Sequence, residues 1–262
     1  MRRQKHDRRD AALILKLLLE GRFPRIWTPS GEEKDLRQLL IHCYKLVRLR
    51  ATTKNELQHL AMNQGVTKKR KLWSKAGEQV LRELALKPWA SRRREDLFKV
   101  RGMLDEQIAS LDAAVVEAAE KNEKAKLLMT QPGVGPITSM AFVLTMGDVQ
   151  RFPRGKQVAS YLGLIPREYS SGGKQRLGSI SKQGNRFMRM LLVEAAQIAV
   201  RYDPGFRNEY LHRCHSKAKG VAKVAAARKL AIRLYWMLRT NTAYPEVVRV
   251  ESSSRVPLVS AS

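Results

Sequence analysis

Apolar residues recur every three or four positions along most of this chain, which is the period of an amphipathic α-helix. The two longest runs extend from Ser30 towards Gly65 and from Arg92 to about Asn122. The first run begins with Ser30-Gly31-Glu32-Glu33, which has the S-x-x-E form of a capping box. The second has a coiled-coil-like seam with one irregular step. We expect a mainly α fold, in which the second run either pairs with another copy or packs within the chain.

One stretch, from Gly163 to Asn185, breaks the helical period. Its centre, Ser170-Ser171-Gly172-Gly173, places two hydroxyl groups beside two glycines. Serine hydroxyls are potential nucleophiles, and cations bind the phosphate backbone of nucleic acids. The cations of this stretch and of the helix that follows it are Arg167, Lys174, Arg176, Lys182, Arg186 and Arg189. We predict a loop or β-hairpin that carries chemistry and contacts nucleic acid.

A second break, Gln131-Pro132-Gly133-Val134-Gly135-Pro136, lies between two apolar runs and resembles the turn of a helix-hairpin-helix motif. Such a turn directs backbone N–H groups at the start of its second helix towards a DNA phosphate. Gly133 and Gly135 are therefore candidate nucleic-acid contacts. A plain turn between helices is the alternative.

The charge balance also indicates a nucleic-acid partner. Fifty Lys and Arg oppose 24 Asp and Glu, for a formal net charge of +26, and a folded protein this basic is expected to bind a polyanion. A structural basic protein, such as a ribosome-associated factor, would share this charge. Without a membrane-length apolar run or an apolar signal sequence, we expect a cytoplasmic, nucleoid-associated protein that does not interact with membranes.

Few residues indicate a metal site. Asp7 and Asp10 are three positions apart on a helix predicted over 5–21, so their carboxylates share a face and could bind a divalent cation together. Acidic residues at a helix start also complement the helix dipole without any metal. The group His212, Cys214 and His215 has no zinc spacing, and Cys43 and Cys214 are expected to be free thiols.

Two groups of motifs resemble the transposases of the insertion sequence 110 family, also grouped with insertion sequences 116 and 902. The first, Lys5-His6-Asp7-Arg8-Arg9-Asp10-Ala11, is similar to the end of the family's RuvC-like DEDD nuclease domain. The second resembles the family's C-terminal transposase domain. It comprises Gln131–Pro136, Gly147-Asp148, Phe152-Pro153, Tyr161–Leu164, Pro166, Ser170–Lys174 and Ile180–Asn185.

The resemblance implies a bacterial DNA transposase or site-specific recombinase with a composite active site. Asp7 and Asp10 would bind magnesium, and Ser171, with Ser170 as the alternative, would attack a phosphodiester to form a serine–DNA intermediate. The implied partners are the DNA of the element ends and the target, a structured guide RNA, and further copies of the chain joined through the helical arm.

The resemblance also implies a division of the chain. Residues 1–65 would hold the end of the RuvC-like domain and a long helix, residues 66–122 a basic loop and a helical coiled-coil-like arm, and residues 123–245 the transposase domain with its helix-hairpin-helix and β-hairpin insertion. Residues 246–262 would form a flexible tail. Since the first Asp and the Glu of the DEDD set have no counterpart here, we expect an N-terminally truncated member with impaired strand transfer. A non-catalytic DNA- or RNA-binding remnant or decoy is the alternative.

Overall fold

The computed structural model describes residues 7–23, 27–66 and 71–246. Three features of the sequence lie outside these ranges: Lys5 and His6 of the first motif, Lys68–Arg70 of the basic loop, and the tail from residue 247 onwards. The described residues are mainly helical, with one two-stranded sheet, so the predicted mainly α fold is confirmed.

The helices follow the predicted order along the chain. Their bounds are α1 Asp7–Leu19, α2 Gly31–Asn63, α3 Lys75–Glu83, α4 Pro88–Glu120, α5 Glu123–Met129, α6 Pro136–Met146, α7 Gly155–Tyr161, α8 Arg186–Tyr202, α9 Pro204–Ser216 and α10 Lys219–Thr240. The predicted capping box is present at the start of α2, where Ser30 Oγ accepts from the Glu33 N–H and the Glu33 carboxylate accepts from the Ser30 N–H. Two backbone donors that the helix itself cannot satisfy are thereby paired.

The long helices α2 and α4 pack along each other in opposite directions and form an arm. Arg50 of α2 forms an ion pair with Asp105 at 3.1 Å, and the Cys43 thiol, further back along α2, donates to Asp112 at 3.2 Å. Burial, together with this hydrogen bond, raises the pKa of the Cys43 thiol to about 11. Within the described residues, α4 therefore packs against its own chain, which was one of the two alternatives. The predicted boundary between the first two segments of the chain, at residues 65 and 66, lies in the connection between α2 and α4.

The remaining helices form a body around α6 and α10. Nearly all of α6, from Thr138 to Leu144, is buried, as expected for a helix that is apolar all round. It packs against α4, α5 and α8, and so connects the base of the arm to the body. The last helix, α10, packs along α8 and α7. The core thus includes residues of the second motif group, among them Val134, Phe152 and Leu164.

A buried ion pair joins three helices of the body. Asp203 accepts the Phe206 N–H at 2.9 Å, which caps α9, and pairs with Arg233 of α10 at 2.7 Å. The two charged side chains are only 3% and 2% exposed. Burial acts to raise the pKa of Asp203, but the hydrogen bonds from Phe206 and Arg233 and the charge of Arg233 together hold that pKa below its ordinary value. The body therefore contains a charge pair that is stable only while both partners remain ionised.

Candidate functional site

The stretch that breaks the helical period folds as an antiparallel hairpin. Its strands are β1 Pro166–Glu168 and β2 Leu177–Ile180, with Pro166 opposite Ile180 and Glu168 opposite Leu177. At its tip, Ser171 pairs with Lys174 across Gly172 and Gly173, whose φ values are +57° and +74°. Positive φ at both central residues is the requirement of a type I′ turn, which matches the twist of two paired strands. The geometry of the turn therefore by itself accounts for the glycine pair.

Two other glycines close the base of the hairpin. Gly163 and Gly184 both have positive φ, and a Cβ on Gly163 would collide with the backbone of Gln183. A Cβ on Gly184 would collide with the Tyr161 carbonyl oxygen. The two ends of the hairpin therefore approach each other more closely than any other residue type permits.

Ser170 has a carboxylate partner. Its hydroxyl donates to Glu168 Oε1 at 2.6 Å and accepts the Arg176 N–H from the opposite side of the hairpin at 3.2 Å. A serine hydroxyl bonded to a carboxylate has the arrangement of a nucleophile with its base. Glu168 was given no role from the sequence. The signal was present, because residues two apart in an extended strand project to the same face.

Ser171 lies directly at the turn. It is exposed, and no hydrogen bond from its side chain occurs among the residues that the model describes. The two predicted serines therefore differ in their surroundings, since the Ser170 hydroxyl is engaged on both sides and the Ser171 hydroxyl faces solvent.

The predicted cations surround the hairpin, and most of them face solvent. Arg167, Lys174, Arg176, Lys182 and Arg186 are all exposed. None of the five forms an ion pair with a carboxylate in the described part of the chain. Unpaired exposed cations can exchange bound counterions for phosphates at little cost. The hairpin is therefore a positively charged protrusion.

Arg189 is different from the other cations. Its guanidinium donates to the carbonyl oxygens of Leu162 and Gln183, at 3.1 and 2.5 Å. Burial, followed by the nearby charge of Arg186, lowers the pKa of Arg189 from its ordinary value. This side chain, predicted as a phosphate contact, braces the base of the hairpin against α7.

A groove of about 680 Å³ runs beside the hairpin, between the end of β2 and α8. Its lining combines apolar side chains with three cations, one carboxylate and one amide. The lining residues are Ile180, Lys182, Arg186, Arg189, Met190, Val193, Glu194 and Gln197. The predicted cations therefore border a space open to an extended ligand.

The turn predicted as a helix-hairpin-helix lies between α5 and α6. Gly133 is packed against α8, where a Cβ would collide with the Ala195 carbonyl oxygen. Gly135 is exposed and is the N-cap of α6, with no side-chain cap. Of the two predicted phosphate contacts, Gly135 is placed at a helix start with free N–H groups nearby, while Gly133 makes a close helix contact.

Asp7 and Asp10 occupy the first turn of α1, and both are exposed. The residues that the model describes contain no group of three or more His, Cys, Asp or Glu side chains arranged to hold a metal ion. Magnesium prefers near-octahedral oxygen ligation, and the magnesium role of these two carboxylates stays a prediction.

In the described ranges, no helix combines the length and apolar character needed to cross a membrane.

The fold and the hairpin together define a basic, helical protein with an exposed serine pair among cations.

Comparison with known proteins identifies the family. Residues 125–211, from α5 into α9, match the family model described as "Transposase IS116/IS110/IS902 family". The chain is 32% identical to the transposase for insertion sequence element IS1328 of Yersinia enterocolitica over 229 residues, and 30% identical to that of element IS1111A of Coxiella burnetii over 202 residues. It is 29% identical to a probable family 20 transposase of Pseudomonas aeruginosa over 251 residues.

These alignments cover 82%, 76% and 92% of this chain, and 66%, 56% and 74% of the respective relatives. The chain thus spans between about half and three quarters of the length of these relatives. It belongs to the family of bacterial insertion-sequence transposases that the sequence motifs indicated.

Proposed function

We propose that this protein is a DNA transposase that cuts and joins strands through a serine at the tip of the hairpin. The observation that carries the proposal is the Ser170–Glu168 hydrogen bond of 2.6 Å on an exposed protrusion surrounded by unpaired cations. Its family membership supports DNA as the substrate. The hairpin offers a nucleophile, a base and phosphate contacts within one short segment.

The proposed strand transfer needs no external energy source, because each phosphodiester bond that breaks is replaced by another. The serine oxygen attacks a backbone phosphorus atom, and its proton passes to the Glu168 carboxylate or to water. The bond from phosphorus to one sugar oxygen breaks, and that oxygen leaves as a hydroxyl after taking up a proton. A hydroxyl of a second strand then attacks the serine phosphodiester, which releases the serine and joins the strands.

Two serines compete for the role of nucleophile. Ser171 is the first candidate from the family resemblance, and its hydroxyl faces solvent. Ser170 has a base in contact, which is what a hydroxyl with a high pKa needs near neutral pH. If Ser171 attacks, Ser170 holds the turn in place through its bonds to Glu168 and Arg176. Single substitutions separate the two roles.

The cations have a defined part in this proposal. Arg167, Lys174, Arg176, Lys182 and Arg186 would hold the phosphates on either side of the cleaved bond and stabilise the charge that develops on phosphorus. Arg189 would act indirectly, because its guanidinium fixes the carbonyls of Leu162 and Gln183.

Covalent attachment tests the proposal. Purified protein is incubated with labelled DNA of the element ends, with the element's RNA, and with either magnesium or EDTA. The mixtures are then separated under denaturing conditions. We expect a protein–DNA adduct that Ser171→Ala or Ser170→Ala abolishes, whichever serine attacks. Ser179→Ala is the matched control, because Ser179 is also exposed on the hairpin and has no proposed role. An adduct that survives the double substitution at 170 and 171 would refute the assignment.

The same experiment addresses the remaining expectations. Asp7→Asn combined with Asp10→Asn tests whether the pair contributes to any magnesium dependence of the adduct. If wild-type protein binds DNA in a salt-dependent manner but forms no adduct under any of these conditions, the alternative function is favoured, namely a non-catalytic nucleic-acid-binding protein.

A further inference from the structure

A second basic surface lies at the far end of the arm, where α3 folds against the end of α2 and the beginning of α4. This arm tip has its own small core of Ala61, Leu72 and Leu81, with Trp73 and Phe98 packed against it. Arg94 ties α4 to the end of α3 by donating to the Leu84 carbonyl at 2.9 Å. These contacts therefore fix the position of the arm tip within the fold.

The arm tip is strongly positive. From Lys71 to Arg101 the chain has nine Lys and Arg against four Asp and Glu, for a formal net charge of +5. The acidic side chains are largely engaged, since Glu78 pairs with Arg101 at 2.8 Å and Asp96 pairs with Arg92 at 3.2 Å. The exposed cations without an ion pair among the described residues are Lys71, Lys75, Arg82, Lys87, Arg93 and Lys99.

One large aromatic ring stands among these cations. Trp89, in the first turn of α4, is 87% exposed. In the described part of the chain its ring makes no aromatic or cation–π contact. Arg93 lies four residues further on and therefore projects from the same helix face. A single exposed apolar residue is ordinary. An exposed indole beside cations that form no ion pair is, however, a combination that suits single-stranded nucleic acid.

The start of α4 adds to this charge pattern. Its first turn contains no acidic residue, and its N-cap Lys87 makes no side-chain cap. Arginines at positions 92–94 instead follow within the next turn. Cations near the positive end of a helix dipole are unfavourable unless an anion is bound there. Phosphate would relieve this repulsion.

A separate shallow groove of about 470 Å³ lies between α3 and α4. It is lined by Arg82, Arg94, Glu95, Phe98 and Lys99, and the Arg82 guanidinium lies 4.2 Å from the centre of the Phe98 ring. Three of its five lining side chains are cations, Glu95 is acidic, and Phe98 supplies aromatic surface. These are the two elements of single-strand binding, a positive track for the backbone and rings for the bases.

We propose that the arm tip is a second DNA-binding surface that takes single-stranded DNA, with an unpaired base stacked on Trp89 and phosphates on Lys87 and Arg93. The choice of DNA rests on the proposed function, because strand cutting and joining exposes single strands. Two copies of a surface with this charge would repel each other, which argues against a dimer contact here. One exposed ring offers little apolar area for a membrane surface.

The test measures non-covalent binding of the full chain to a labelled oligonucleotide of about 16 nucleotides by fluorescence anisotropy. EDTA is present throughout, so that failure of the hairpin chemistry leaves this result unaffected. We expect Trp89→Ala to weaken single-strand binding by about fivefold to 150-fold, with less effect on duplex DNA, and Trp89→Phe to retain most of the affinity. Met103→Ala is the matched control, because Met103 is an apolar residue on the same helix that is 67% exposed.

The cations give a second measurement. Lys87→Gln with Arg93→Gln is expected to reduce the slope of log affinity against log salt by about 1.4, since each phosphate contact with a single strand contributes about 0.7. Lys45→Gln with Lys124→Gln removes the same charge from exposed positions elsewhere and should leave the slope nearly unchanged.

Four results would overturn the proposal. The first is equal single-strand binding by Trp89→Ala and Met103→Ala, and the second is an equal loss of affinity for single-stranded and duplex DNA in Trp89→Ala. The third is tighter binding of the matching RNA than of the DNA. The fourth is a Trp89→Ala variant that changes oligomeric state in light scattering while its affinity for single strands is unchanged.

Discussion

At the scale of single residues, the contact between Ser170 and Glu168 is the most informative feature of the hairpin. A carboxylate that accepts a hydrogen bond from a hydroxyl group at 2.6 Å can serve as a general base, or it can hold the turn in shape. The structural role needs only a hydrogen-bond acceptor, whereas a general base must take up the proton and therefore affects the rate of the chemical step.

Substitution of Glu168 by Gln separates these roles. If Glu168 is the general base, Glu168→Gln should slow adduct formation by about 100-fold or more, the range found for removal of a general base, while DNA affinity changes little. The measurement is a time course of adduct formation at saturating DNA. Glu120→Gln, at the exposed end of α4, is the control. An unchanged rate in Glu168→Gln would limit Glu168 to a structural role.

The serine pair, the glycine pair and the surrounding cations could all be chosen from sequence, because few other residue types offer a nucleophile, a tight turn and phosphate contacts together. The roles of two further residues depend on contacts that only the folded structure shows. Arg189 appeared equivalent to Arg186, but only the fold shows that its guanidinium binds two carbonyls. Gly133 appeared equivalent to Gly135, but only Gly133 is packed against α8.

At the scale of secondary-structure elements, the base of the hairpin depends on the backbone contact between Gly163 and Gln183. Gly163→Ala would introduce a methyl group into that contact at a φ of +67°. We expect a loss of stability of more than about 1 kcal/mol, together with loss of adduct formation, measured by thermal melting and the adduct assay. Gly102→Ala is the control.

Gly102 lies inside α4 with open space around its Cα. Its replacement by Ala should stabilise the protein by about 0.5–1 kcal/mol. If both substitutions had the same effect, the close approach at the hairpin base would not be the cause.

The buried ion pair between Asp203 and Arg233 gives a prediction for pH. The pKa of Asp203 is lowered in the folded protein, so its contribution to stability is complete above the unfolded pKa of about 3.9 and is lost as pH falls through the lower, folded value. Unfolding monitored by circular dichroism should therefore show stability that is insensitive to this group near neutral pH and decreases in acid.

Asp203→Asn keeps the shape of the side chain but removes the carboxylate charge that pairs with the buried Arg233 guanidinium. We expect a loss of about 3–5 kcal/mol near neutral pH and a smaller further loss in acid than in wild type. Asp148→Asn provides the comparison, because Asp148 also caps a helical turn but is exposed. A similar small effect for both variants would contradict a stabilising role for the buried pair.

Most helices were predictable because their apolar period, caps and breakers agree. The capping box at Ser30, the break at 131–136 and the hairpin all occur where the sequence indicated. The partner of α4 was not predictable, since an apolar seam reads the same whether it faces α2 or a second copy. The Asp203–Arg233 pair was also hidden, because the two residues are 30 positions apart and meet only after α8, α9 and α10 pack.

At the scale of the whole molecule, positive charge is distributed over two separate surfaces, the hairpin on the body and the tip of the arm. The arm connects to the body through α6, which packs against both α2 and α4. A DNA molecule held at the arm tip and at the hairpin would therefore be positioned by one continuous helical framework. The positive charge is consistent with the transposase family match, while the division into two surfaces comes from the fold.

The central claim is that a serine in the hairpin becomes covalently joined to DNA. The most direct test is peptide mapping by mass spectrometry of the adduct formed by wild-type protein after nuclease and protease digestion. We predict a nucleotide phosphate on the peptide that contains Ser170 and Ser171, with fragmentation identifying which of the two is modified. A nucleotide attached to any other peptide would contradict the account.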